Sequence, residues 1–131
     1  MSDKKQETNT LSFRERFLEQ AGKYKRETVA IDGLGKVEIK EPSASERSNI
    51  YKAAQIVKQV KGETHIVTDP SKLNAWAVIC CCIDPATGNP VVSKADLDTL
   101  LSMPVSILDK LAKPVMEFMG EFDDDEEAEK N

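Results

Sequence analysis

Residues 69–83 constrain the fold more than any other stretch of this chain. Asp69-Pro70 is a helix start, an acceptor side chain followed by proline at a position whose N–H would go unpaired anyway. Leu73, Trp76, Ala77, Val78, Ile79, Cys80 and Ile83 follow, so the helix they form is apolar on almost every side. A helix of that kind is stable only when other elements surround it. Its near-continuous apolar run, residues 75–83, falls far short of the roughly 18 residues that cross a bilayer. The expectation is a central core helix running to Ile83 with the rest of the chain wrapped round it.

The flanking segments read as its wrapping. Ser12 with Glu15 has capping-box spacing, and Phe13 and Phe17 lie on one face of the short helix that follows, which ends near Gly22. From Thr28 the period is two: Val29 and Ile31, then Val37 and Ile39, alternate with polar or small residues across Gly33-Leu34-Gly35. That pattern predicts a β-hairpin, stopped by Pro42. Ser43 with Glu46 repeats the capping box, and Ile50, Ala53, Ala54, Val57 and Val60 follow the i, i+3, i+4, i+7 template. The predicted helix spans 43–62, with a short link through Ile66 and Val67 behind it. Residues 84–90 are dense in turn formers. Ser93 with Asp96 opens another short helix carrying Leu97, Leu100 and Leu101, and Pro104 restarts the chain into a last helix to about Met119.

These elements give a fold class of mainly α with one β-hairpin (α+β), a small helical bundle with an N-terminal hairpin packed on it. The domain reading is a flexible lead over 1–11, one globular domain over 12–120 and a disordered acidic tail over 121–131. The 131 residues, 40% apolar and 31% charged, carry a formal net charge of -5. The tail holds seven acidic residues and one lysine, which leaves 16 acids and 17 bases in the remainder. The body is therefore close to neutral and lacks the basic cluster that phosphate-backbone binding needs. No signal-peptide core opens the chain, so a soluble intracellular protein without nucleic-acid or membrane partners is expected.

Little here can carry chemistry. Cys80, Cys81 and Cys82 are contiguous, so they can build no disulfide framework and cannot converge on one metal ion from a helix; they read as small apolar core side chains. His65 is the single histidine and has no ligand-spaced partner; it reads as a loop residue. No nucleophile elbow or phosphate-cradling loop is present, and 84–89 lacks the alternating oxygens of a calcium loop. The expectation is no enzyme, no catalytic residue, no metal and no cofactor.

The last helix is more informative. Val105, Ile107, Leu108, Leu111, Ala112, Val115, Met116, Phe118 and Met119 occupy an arc of about 180°, broader than the roughly 100° a helix needs to rest on a core. Either two elements of the same domain cover that arc, or part of it meets another chain. Leu111, Val115, Met116, Phe118 and Met119 are the candidate partner-binding residues, and methionine suits surfaces that take varied apolar partners. Pro114 is expected to bend the helix.

The order of these motifs resembles the tail assembly chaperones of long-tailed bacteriophages. The likeness rests on the short N-terminal helix, the Val/Ile hairpin over 27–40, and the Ser-x-x-Glu-Arg helix start at Ser43. It rests also on the apolar helix ending in Cys-Ile-Asp and on Ser93-Lys94-Ala95-Asp96-Leu97-Asp98-Thr99-Leu100. The resemblance covers residues 12–120 and implies a non-enzymatic protein of the host cytoplasm, absent from the mature virion. Such a protein keeps the tape measure protein soluble and helps recruit tail-tube subunits; self-association is open. The competing readings are a head-tail connector or minor tail component, and a small regulatory binding module.

Overall fold

The computed structural model describes residues 11–120. Residues 1–10 of the lead expected over 1–11, and the tail expected over 121–131, lie outside the described residues. In chain order the elements are α1 (Phe13–Leu18), β1 (Arg26–Ile31), β2 (Gly35–Lys40), α2 (Ala44–Ala53), β3 (Gln55–Val60) and β4 (Glu63–Thr68). There follow α3 (Pro70–Cys81), β5 (Cys82–Ile83), a 3-10 turn at Lys94–Asp96, α4 (Leu97–Ser102) and α5 (Val105–Met119). The α+β class holds.

Local chemistry explains most element starts. At Ser12 and at Ser43 the hydroxyl accepts the backbone N–H of the glutamate three residues on, and that glutamate accepts the serine N–H in return. Ser93 and Asp96 form the same reciprocal cap in a 3-10 turn, with Ser93 accepting from the Ala95 N–H as well. Asp69 caps α3 through Ser71 N–H. The β1–β2 turn closes with Leu34 N–H donating to Ile31 C=O, and Gly33 there takes a φ of 83°.

The core lies between the first sheet and the helices. β2 is the central strand of a three-stranded antiparallel sheet ordered β1-β2-β5. The side chains of Ile31, Val37 and Ile39 face inward onto Ala77, Val78, Cys81, Leu108, Ala112 and Val115. α3 packs against α2, α4 and α5, and α5 also reaches β1. It is the central core helix the sequence predicts, except at its end. The chain leaves helical geometry at Cys82 (φ -95°, ψ 128°), and Cys82 and Ile83 pair with Ile39 and Glu38 instead of completing the helix. Burial selects this, since strand geometry turns Cys82 into the core beside Ile39. No polar or charged residue is buried among the described residues.

The helix expected over 43–62 is corrected. It stops at Ala53, capped at Ala54, and residues 55–60 form a strand paired in register with 63–68 from Gln55↔Thr68 to Val60↔Glu63. The single expected hairpin is thus joined by a second, and the supposed link through Ile66 and Val67 is a strand. Two forces decide it. β-Branched residues at 56, 57, 60, 64, 66, 67 and 68 lose side-chain freedom in a helix and pack well on a pleated surface. Lys61 and Gly62 then adopt φ of 53° and 82°, the two left-handed residues of a type I′ hairpin turn. Asp69 N–H donating to Ala54 C=O at 2.8 Å closes the base of this hairpin.

Candidate partner-binding surfaces

The arc on α5 is largely covered from within. Leu108, Ala112 and Val115 are buried, Val115 at 0% exposure, while Leu111, Met116, Phe118 and Met119 are half-buried and pack against the same core. Two elements, α3 and β1, cover the arc, which accounts for its width. The helix runs on through Pro114, and Gly120 ends it in the left-handed region at φ 63°. Near its start the apolar side chains of Val105 and Ile107 are exposed.

The second hairpin presents a surface that helical periodicity hides. Side chains alternate across a strand, so Gln55, Val57, Gln59, Thr64, Ile66 and Thr68 share one face. All six are exposed and none is charged; Val57 (66%) and Ile66 (67%) pair directly at its centre. The opposite face carries Lys58, Glu63 and His65, with Ile56 and Val67 half-buried at its base. His65 is therefore a strand residue, with Nε2 at 3.5 Å from a Glu63 carboxylate oxygen. In a chain nearly one-third charged, this exposed face is uncharged, with Val57 and Ile66 as an apolar centre ringed by Gln55, Gln59, Thr64 and Thr68.

A groove of about 460 Å³ opens between α2 and α3. Ile50, Ala53, Trp76, Ile79 and Cys80 line it, and Glu46, Asn49 and Lys94 stand at its edge. The three thiols are free. The Cys81 thiol, hydrogen-bonded to Cys80, favours the Cys80 thiolate and lowers its pKa, whereas that bond and burial raise Cys81. Burial pushes Cys82 up to about 12. Cys80, half-buried on the groove wall, is accordingly the accessible and nucleophilic thiol of the three.

On α1, no residue is buried: Phe13 (73%) and Phe17 (63%) stack with ring centroids 5.9 Å apart, and Leu18 is exposed as well. Among the described residues no group of three or more His, Cys, Asp or Glu could hold a metal ion, and no helix is long and apolar enough to cross a membrane.

Structural comparison finds similarity to the tail assembly chaperone of bacteriophage HK97, with a TM-score of 0.50 and 16% identity, covering 78% of this chain and 96% of that one. The fold is tail assembly chaperone-like. No protein-family model matches the sequence, and no curated protein matches it. The neutral hairpin face was signalled by the density of β-branched residues on both sides of Lys61-Gly62. The groove between α2 and α3 had no sequence signal, because it exists only where two helices leave a gap.

Proposed function

We propose that this chain is a phage tail assembly chaperone that binds the tape measure protein, keeps it soluble and helps recruit tail-tube subunits, acting in the host cytoplasm without entering the virion. The observation that carries this reading is the fold similarity, which takes in 96% of the HK97 tail assembly chaperone. The physical arrangement supports it. A long helical client offers apolar stripes, and the neutral face centred on Val57 and Ile66 can cover them without burying an unpaired charge. The half-buried edge of α5, with Leu111, Met116, Phe118 and Met119 above the buried Val115, is the second apolar surface offered.

Co-expression with a tape measure protein from the genome that encodes this chain tests the proposal. The native chain raises the soluble fraction of the client several-fold; a Val57→Lys/Ile66→Glu variant, whose opposite charges face each other across the strands at exposed positions, loses most of that gain while keeping its thermal midpoint. A client equally soluble with and without the chaperone overturns the proposal. So does recovery of this chain, in stoichiometric amount, from purified particles.

A further inference from the structure

Two hollows meet at the start of α2. One, of about 210 Å³, is lined by Glu41, Pro42, Ser43, Ala44, Arg47 and Met119. The other, of about 310 Å³, shares residues 41–44 and extends to Gln20, Lys23 and Tyr24. Together they form a shallow track that begins at the end of α5, where Met119 is on the wall and Gly120 closes the helix. We infer that residues 121–131 fold back along this track on their own chain, with Phe122 in the hollow beside Met119 and the acidic run against the cations beyond it.

Reach, shape and charge each favour this occupant. Eleven residues follow Gly120, about 36 Å of extended chain, and Phe122 stands three positions beyond Met119. It is the single large apolar side chain in 121–131, and Pro42, Ala44 and Met119 offer it an apolar wall. The remainder of the segment carries seven acidic residues and one lysine. Arg47 lines the first hollow and Lys23 the second; both are exposed, and neither forms an ion pair among the described residues. Lys40 stands with Nζ 5.5 Å from the centre of the Tyr24 ring, and the first turn of α2, at Ser43 and Ala44, adds the positive end of a helix dipole. Two acids adjoin the track, Glu41 and Glu46, and their carboxylates already accept the N–H groups of Lys25 and Ser43. The like-charge repulsion that predicts a disordered tail is relieved where cations line its path.

The tether selects the chain's own tail over a second copy. A short connection holds its end at millimolar effective concentration, so a contact with a Kd of about 1 mM between separate molecules is largely formed within one. At micromolar protein the tail of another copy cannot compete. A docked tail also covers Met119, the last residue of the apolar edge of α5, so a partner using that edge must displace it, and its apparent affinity falls by the undocked fraction.

Amide NMR spectra of the full chain at micromolar concentration test the contact. Phe122→Ser, and separately Asp123→Asn/Asp124→Asn/Asp125→Asn, should shift the amides of Lys23, Tyr24, Ala44 and Arg47 and leave those of Val57, Ile66 and the buried Val78 in place, the last reporting an intact fold. In the native chain, raising salt from 0.15 M to 1 M shortens the screening length from about 8 Å to about 3 Å and should move the same four amides toward their positions in the triple variant. That salt response is lost in the triple variant and in Arg47→Glu, whose position is exposed. Unshifted amides at Ala44 and Arg47 in Phe122→Ser overturn the proposal. Shifts that grow with protein concentration assign the track to the tail of a second copy, and shifts that arise only when the tape measure protein is added assign it to the client; either result overturns the proposal too. Tail docking is measured on the chain alone, so its failure leaves the chaperone reading standing and the reverse holds as well.

Discussion

Lys61→Asn tests whether residues 55–68 form a hairpin at all. Lys61 sits at φ 53° and Gly62 at φ 82°. An ordinary L-residue in that region is strained by roughly 1–2 kcal/mol, whereas asparagine tolerates it. Replacing Lys61 by Asn should recover about 0.5–1 kcal/mol of hairpin stability. Because the hairpin is tied to the body mainly at its base, the gain is best read locally, as slower amide exchange. Between 0.5 and 1 kcal/mol corresponds to an increase in protection of about two- to fivefold across β3 and β4. Gly62→Ala should move protection the other way; a Cβ there meets nothing within 4 Å, so its cost is backbone strain alone. The sign carries the test. In a helix running to residue 61, Asn would be a poorer helix former than Lys and would lower protection by about half a kcal/mol. Lower protection in Lys61→Asn would refute the turn assignment and the neutral face built on it.

Two further outcomes follow from the core. Val115→Ala should lower stability by about 2 kcal/mol in urea unfolding, because a fully buried side chain loses two methyl groups into a packed site; a loss below about 0.5 kcal/mol would place Val115 at a surface instead. Alkali should unfold the protein through its thiols. Cys82 has its pKa raised from an ordinary 9.0 to about 12 by burial, so the folded chain keeps the proton that the unfolded chain releases. That stability is complete below about pH 9 and falls by about 1.4 kcal/mol per pH unit as the pH rises toward 12, with Cys81 acting in the same direction. Urea titrations over this range should show a shallower decline in Cys82→Ala; parallel profiles for the two proteins would rule the buried thiol out as the cause.

What could be read from the residues was what local chemistry decides. Each Ser-x-x-Glu or Ser-x-x-Asp start is a reciprocal pair of hydrogen bonds within four residues, and all three formed where expected. The first hairpin was visible because its glycines sit where positive φ is needed. The second was hidden by coincidence. Ile50, Ala53, Ala54, Val57 and Val60 match a helical period, yet only Ile50 and Ala54 are buried, and Val57 and Val60 point into solvent from a strand. Lysine is an uncommon choice in a left-handed turn, so the turn lacked its usual Asn-Gly or Asp-Gly mark. On α5 the arc of apolar residues was legible, but not what lies over it, because coverage by α3 and β1 depends on chain segments far away in sequence. The groove and the bare ridge of α1 are legible only in three dimensions, as what the packed elements leave uncovered.

The hydrogen bond between Asp69 and Ala54 makes the second hairpin a cassette. Its two ends are clamped side by side at 2.8 Å, one at the close of α2 and the other at the cap of α3. The segment between them can lengthen, shorten or exchange its sequence without moving the helices on either side. Chains sharing this fold can therefore diverge fastest at that point, and an engineered recognition segment grafted between positions 54 and 69 should leave the body unchanged.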